Sequence, residues 1–515
     1  MVLRPTGVSC RMPLTSDVAQ LREHLREIDD LNAVSSLLTW DQSTYMPRGG
    51  GRSRGRHMAT LRRLAHERQT HPDLLRLVAR LVPVADDLSP IDRDLVHVVA
   101  RDVDRATRLP GDFVAALTEH TVVAYEAWVA ARARDDFGAI APLLERTVEL
   151  SRTYASYYPE VEHPADALIA TADEGMTVAT LRPLFAQLRE ALVPLVERVA
   201  ESGAAAPALP VQGPAERQLE LALRLAQAFG YDIERGRQDL APHPFAIRMA
   251  HGDVRITTRV DPTDVAEALY STLHEAGHAL YEQGVDEALD GTPLASGVSA
   301  GVHESQSRLW ENLVGRSRAF WSYALPIVQE RFPELAELDV ESAYRAVNRV
   351  QRSAIRTEAD ELTYNLHVVI RFELELELLE GRLSVGDLPA AWRDRYAHDL
   401  GVEVTSDADG VLQDVHWFGG AVGGAFQGYT IGNVLSAQCF DAARRDLGDV
   451  DGAIARGDFA PLHAWLRERL YAWGRRLPPA ALIERATGAP LGIEPYLRYL
   501  RGKYLPFAAA GAVEP

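Results

Sequence analysis

The sequence predicts an all-α protein, and three observations carry that reading. Apolar residues recur at three- and four-residue steps in ten separate segments. Strand-like alternation bounded by turn residues occurs at one place only, 253–260 with a short partner at 246–250. The breaks between helical segments fall where proline and glycine gather.

The first helix is expected over 16–38, where Leu21, Leu25, Ile28 and Leu31 share a face. Pro47 with Gly49, Gly50 and Gly51 closes it. Helices are expected over 61–82, 91–105 and 113–131, with an acidic loop at 83–90 after the first of these. Further helical patterns cover 181–202 and 214–229. Between them 201–214, holding Pro207, Pro210 and Pro214, is the longest candidate linker. A small hairpin follows, its turn at His251-Gly252-Asp253. Helical periodicity resumes over 265–283, 307–332, 340–380 and 462–473. Within the third of these, 373–380 (ELELELLE) alternates like a strand but lies inside a long helix-forming run, so helix is expected. The whole chain, 1–515, is read as one domain, with 1–15 and 508–515 as loose termini.

Composition narrows the function. With 515 residues, a large core is available without covalent staples. Lys and Arg number 54 against 73 Asp and Glu, a net charge of −19, which argues against nucleic acid and against an anionic membrane surface as partners. Two cysteines, Cys10 and Cys439, cannot make a disulfide framework. No run approaches 18 uninterrupted apolar residues, and the first residues lack the apolar core of a signal peptide. A cytoplasmic protein is expected.

The chemistry sits at Leu273-His274-Glu275-Ala276-Gly277-His278. Four residues turn a helix by about 400°, so His274 and His278 lie one turn apart on nearly the same face and can converge on one ion. Glu275 sits about 100° round the same turn, where its carboxylate can reach water without ligating. Neutral imidazoles suit zinc, and a hydrolytic zinc site needs a third ligand and an open position. Glu304 is the third-ligand candidate. It lies 26 residues after His278, at the start of the next expected helix and past a glycine- and serine-containing loop. Glu282 is one turn beyond His278, too far along the axis; Glu287 is not excluded by spacing. His303 is either a ligand itself, a group behind the ligands, or a packed histidine. These residues place the metal site on 265–310.

With those residues in view, the sequence resembles the carboxypeptidase Taq family of zinc metallocarboxypeptidases over nearly its whole length. Leu38 to Pro47 (LTWDQSTYMP) is similar to the family's opening signature. His243-Pro244-Phe245 matches its HPF motif, and Asp253 to Thr257 its D-x-R-x-T motif. The segments 274–278 and 303–306 match its metal motifs. Ile355 to Asp360 matches I-R-x-x-A-D, and Gly410 to Trp417 matches G-x-x-Q-D-x-H-W.

The resemblance implies a helical protein with a deep central groove, a homodimer, and removal of single amino acids from peptides with a free C-terminus. It implies one divalent ion, zinc or cobalt, held by His274, His278 and Glu304, with Glu275 as general base. His416 and Tyr429 are candidates for stabilising the oxyanion by resemblance to related zinc peptidases. A free carboxylate calls for arginine, whose planar fork binds it in a bidentate way. Arg356 is preferred for that role and Arg255 for support. Arg255, Thr257 and Arg259 share a strand face, and that strand edge is a candidate for pairing with the substrate backbone. His243, extended before Pro244, is a candidate for the groove wall. Asp253, Asp360 and Asp414 are candidates for orienting histidines or arginines. One departure stands out. In 418–428 small residues replace an aromatic before Phe426, and Gln427 stands where the family carries proline. Added glycines widen the backbone's choices there, which bears on substrate preference and loop rigidity rather than on the metal ligands. An oligo-endopeptidase of the same helical type and a silent peptide-binding scaffold are the alternatives.

Overall fold

The structure, a computed structural model, describes residues 11–201, 209 and 213–511. Among these residues the chain forms α1 (Arg11–Thr44), α2 (Gly51–Gln69), α3 (Pro72–Leu81), α4 (Pro90–Arg108), α5 (Gly111–Ala133), α6 (Ala141–Ser156), α7 (Pro164–Ala172), α8 (Val178–Glu201) and α9 (Ala215–Phe229). Three short strands follow, β1 (Gln238–Leu240), β2 (Ala246–Ala250) and β3 (Asp253–Thr258). The second half holds α10 (Val265–Gly284), α11 (Ala300–Arg308), α12 (Arg318–Arg331), α13 (Val340–Val347), α14 (Tyr364–Glu380) and α15 (Leu388–Leu400). It ends with α16 (Gln427–Leu447), α17 (Val450–Ala455), α18 (Ala460–Arg469), α19 (Pro479–Thr487) and α20 (Glu494–Gly511). The all-α reading holds. None of the described helices is long and apolar enough to cross a membrane.

Local chemistry sets many of the boundaries. Ser89 caps α4, its side chain accepting from the Asp92 N–H with Pro90 at the first helical position. Asp264 caps α10 and Ser299 caps α11 in the same way. Gly230, Gly381 and Gly401 end α9, α14 and α15 in left-handed backbone. The run 373–380 is helical, as expected. Leu374, Leu376, Leu378 and Leu379 are buried, and Glu375 is buried against Arg371 one turn before it.

Several expectations are corrected. The run 340–380 is two helices. The chain leaves helix after Val347 and re-enters at Tyr364, with one 3₁₀ turn at Arg356–Glu358 between them. Asn348 closes α13 by donating its side-chain amide to the carbonyls of Arg316 and Tyr344. The run 307–332 is also divided, by a π-helical turn at Leu309–Val314. Residues 11–15 belong to α1 rather than to a loose end, and α20 runs on to Gly511 with Phe507 and Ala508 buried. The rest of both termini, most of the 201–214 linker and Cys10 lie outside the described residues. Cys439 is buried as a free thiol.

The hairpin of β2 and β3 is present with a bulge between Arg248 and Ala250. It is part of a three-stranded sheet in the order β1-β3-β2, with β1 parallel to β3. Three residues without alternation (QDL) gave β1 no sequence signal. Because β3 is the central strand, β2 and β1 occupy its two edges and leave none free at Arg255 and Thr257 for a substrate backbone, while Arg259 lies past the end of β3. The main buried cluster runs from Val18 to Ala508, and α10, α14 and α16 pass through it.

Candidate metal centre and active site

The histidines stand on α10, which is buried along most of its length. His274 and His278 present their rings 5.0 Å apart on one face. Glu304 projects from α11. Its Oε2 lies 3.6 Å from His274 Nε2 and 3.4 Å from His278 Nε2, and the three ligand atoms fall within 4.8 Å of one another. An ion bonded at about 2.0–2.1 Å in tetrahedral directions holds its ligands about 3.4 Å apart, so this donor set fits a zinc-sized cation. The second carboxylate oxygen of Glu304 accepts from Arg308 Nε at 2.8 Å, which leaves one oxygen to face the histidines.

The next layer fixes the rings. His274 Nδ1 donates to Glu311 Oε2 at 2.8 Å. His278 Nδ1 meets His303 Nδ1 at 2.6 Å, and His303 Nε2 meets Glu282 Oε1 at 2.7 Å. With both Nε2 atoms turned to Glu304, His278 donates from Nδ1, His303 accepts there and donates from Nε2, and Glu282 ends the chain. His303 therefore stands behind His278 rather than beside Glu304. Glu282, set aside as a ligand on spacing, holds His303. Glu287 belongs to a 3₁₀ turn and does not line the groove described below.

Close backbone approach makes this possible. A Cβ on Gly432 of α16 would lie 2.4 Å from Glu304 Cγ, so only glycine lets α16 pack there. The glycine therefore stands within a buried helix, α16, a segment not among those expected to be helical. In the departing segment, a Cβ on Gly424 would fall 2.5 Å from the Leu168 backbone, so this glycine is pressed against α7. Gln427 Nε2 donates to Asp173 Oδ2 at 3.2 Å and to the Gly424 carbonyl at 2.8 Å, holding the turn where the family carries proline.

The centre opens on a groove of about 750 Å³. His243, His274, Glu275, His278, His303, Glu304, Arg356, His416 and Tyr429 all line it. Glu275 is buried and has no hydrogen-bond partner among the described residues. Burial pushes its carboxyl up to about 7, against the opposing pull of His274 and with help from Glu304 and Glu311. Burial lowers His278 to about 4. Burial alone would raise Glu304, but Arg308 and the two histidines outweigh it and hold this carboxyl below its usual range.

The wall beyond the metal ligands is built around Asp414. Its Oδ1 accepts from His416 Nδ1 and from the His416 backbone N–H, and its Oδ2 accepts from Arg356 Nε at 2.9 Å. One carboxylate thus orients both groups. Gln413 Oε1 accepts from the Arg356 N–H at 2.7 Å. Arg356 Nη1 donates to Tyr364 Oη at 3.1 Å, and its Nη2 has no partner among the described residues. Tyr429 stands edge-on to Tyr364 and to His416, with Arg356 5.4 Å from its ring. Burial raises the Tyr429 hydroxyl to about 12, so it keeps its proton at neutral pH.

Arg255 is not brought to the groove. It pairs bidentately with Asp253 at 2.7 and 2.8 Å and lies 4.3 Å from the Trp40 ring centroid, packing the sheet on α1. Asp253 accordingly orients an arginine of the frame. Asp360 orients neither histidine nor arginine. It accepts from the backbone of Gln351, Leu362 and Thr363 and so shapes the loop carrying Arg356. His243 lines the groove, its Nδ1 meeting the Pro244 carbonyl at 2.9 Å. Arg308, Glu311 and Tyr364 were not read from sequence. Glu304, Arg308 and Glu311 stand at i, i+4 and i+7, one helical face, and that spacing was the available signal.

A helical groove floored by two histidines, a carboxylate and a buried glutamate has the donor set of a metal-dependent hydrolase. The chain belongs to the carboxypeptidase Taq (M32) metallopeptidase family, which matches residues 20–504. It is 41% identical over 502 residues to thermostable carboxypeptidase 1 of Thermus thermophilus, covering 94% of this chain and 97% of that one. It is 37% identical to carboxypeptidase 1 of Bacillus subtilis, covering 93% and 96%. Among solved structures, an M32 carboxypeptidase from Deinococcus radiodurans superposes with a TM-score of 0.94 at 52% identity, covering 96% of this chain and all of the other. A Pyrococcus furiosus carboxypeptidase superposes at 0.92 with 35% identity, covering 95% and 99%. The protein is a metal-dependent carboxypeptidase.

Proposed function

We propose that His274, His278 and Glu304 hold one zinc ion, with cobalt as the alternative metal, and that Glu275, His416, Tyr429 and Arg356 carry out C-terminal hydrolysis of peptides around it. The observation that carries this reading is the convergence of three ligand atoms within 4.8 Å beside an unpartnered, buried glutamate. Lewis acidity toward a carbonyl and toward water is what the bound ion supplies. Glu275 takes a proton from the attacking water and delivers it to the leaving amine. The Tyr429 hydroxyl donates toward the oxygen that gains charge, and the His416 ring, its Nδ1–H held by Asp414, does so from Nε2 when it carries both protons. The free Nη2 of Arg356, next to Tyr364 Oη, receives the substrate's terminal carboxylate, and Asp414 keeps that guanidinium in place.

The whole chain acts as one domain on this reading, supported by the continuity of the main core from Val18 to Ala508. The scarcity of cysteine supports a cytoplasmic setting, and the family resemblance supports a homodimer. Amino-acid release from a peptide is the test. Turnover of a free-acid peptide, its loss with a chelator, and little turnover of the C-terminally amidated peptide are expected. Equal cleavage of the amidated peptide would replace this reading with an endopeptidase.

A further inference from the structure

The chain carries 54 basic residues, and one of them is a lysine, Lys503 on α20. Arginine serves every other basic position, so this place is set apart by what an ammonium does and a guanidinium does not. Lys503 is buried. Its Nζ donates to Glu361 Oε2 at 2.5 Å and to Tyr499 Oη at 2.9 Å, and the ring centroids of Tyr499 and Tyr504 stand 5.3 and 5.5 Å from it. A compact ammonium with rotatable donors suits that place better than a planar fork. Glu361 receives two hydroxyls as well. Tyr499 Oη donates to its Oε1 at 2.8 Å and Tyr504 Oη to its Oε2 at 2.8 Å.

Glu361 and Tyr504 line the groove, while Lys503 lines a separate cavity of about 480 Å³ behind that wall. The ammonium thus reaches the carboxylate from the side away from substrate. The charges of the wall come in matched sets, with Glu304, Glu311 and Glu361 against Arg308, Arg316 and Lys503. Arg308 is bonded to Glu304 and Glu311, and Arg316 to Glu311. Lys503 is the one cation bonded to Glu361 among the described residues. Without it a buried carboxylate on the groove wall has no cation of its own, and at low dielectric such a charge repels an incoming anion.

We propose that Lys503 is a positioning residue for substrate binding: it cancels the charge of Glu361 from behind the groove wall, so that the terminal carboxylate of a peptide settles on Arg356. The inference rests on the free-C-terminus reading above and goes beyond it by assigning a residue that never touches substrate. Glu361 lies at the far end of the loop 348–363 that presents Arg356. Its neighbour Asp360 ties that loop to itself, and the Tyr499 and Tyr504 hydroxyls tie it to α20. These hydroxyl contacts do not need the ammonium, so removing Lys503 changes the field in the groove more than the frame around it.

Steady-state kinetics of the metal-loaded full chain on a free-acid peptide test this, at about pH 8, where a carboxyl without a cation is ionised. In Lys503→Met, KM is expected to rise about tenfold with kcat within about threefold of wild type, the mark of binding lost equally from ground and transition states. In Lys503→Met/Glu361→Gln both charges are gone, and KM is expected to return to within about threefold of wild type. A purely structural role would leave the double variant as impaired as the single one, and that result overturns the inference. An unchanged KM in Lys503→Met overturns it too. If Lys503→Met does not fold, Glu361→Gln alone decides. With the carboxylate gone its KM is expected at or below the wild-type value, and a rise of about tenfold overturns the inference. A wild type that cleaves the amidated peptide as well as the free acid overturns the free-C-terminus reading, and this inference with it. A wild type that discriminates, beside variants that miss these values, leaves that reading standing and removes Lys503 alone.

Discussion

Glu275 is the side chain whose position says most about the chemistry. It is buried beside the ligands without a hydrogen-bond partner, so nothing in the protein competes with water for its oxygens. Glu275→Gln keeps the shape and removes the base. Metal content is expected to stay at the wild-type level while kcat falls by about 10²–10⁴-fold, and a variant that keeps most of its turnover excludes the role. Arg356→Ala removes a charge-assisted contact to the substrate, worth about 3 kcal/mol, so kcat/KM on free-acid peptides is expected to fall by about 100-fold. The same variant should lose its preference for free-acid over amidated peptides; an unchanged preference places the carboxylate elsewhere. Asp414 ties this arginine to His416. Burial alone would raise its carboxyl, but His416, Arg356 and Arg371 outweigh that and hold it well below the ordinary 3.8. A carboxyl depressed in the folded state stabilises above its unfolded value and loses that contribution as pH falls, by up to about 1.4 kcal/mol per pH unit. The melting temperature of wild type over Asp414→Asn should therefore narrow between pH 6 and pH 3. A gap that widens as pH falls contradicts the assignment.

Helices such as α4 and α9 were legible because one face is apolar and the other polar. Others were lost where burial is complete or propensity misleads. In α16, Gly428 and Gly432 argue against helix by intrinsic preference, yet Gly432 is glycine because Glu304 occupies the space of its Cβ. Tertiary contact there overrode the local signal, and no helix was expected over 427–447. The break at 348–363 was hidden for the opposite reason. Its residues keep a helical rhythm, while Asn348 and Asp360 spend their side chains on backbone groups and hold the loop that presents Arg356. Gly432→Ala follows from the α11–α16 contact. Overpacking of about 1–3 kcal/mol is expected, with a lower melting temperature and weaker metal binding, because the side chain that must move is Glu304. A variant that melts lower but binds metal as tightly as wild type would separate the packing from the site.

The molecule as a whole joins parts that are far apart in sequence. The metal motif was readable because a helix repeats in 3.6 residues and brings His274 and His278 together by itself. What lies behind them was readable only in part. Asp414 was a candidate for orienting such groups, whereas Glu311 and Tyr364 come from stretches that only the folded chain brings to the site. Motif resemblance named Arg356, His416 and Asp414 separately, and the structure joins them, with the one carboxylate binding both partners. It also returned Arg255 to the frame, since a motif marks a residue without saying which neighbour it meets. The central claim is that His274, His278 and Glu304 bind one catalytic ion. Metal content of purified wild type and His278→Ala, each measured with its rate of amino-acid release, tests this most directly. The account predicts about one divalent ion per wild-type chain and loss of both metal and turnover in the variant. Undiminished metal in His278→Ala would contradict it.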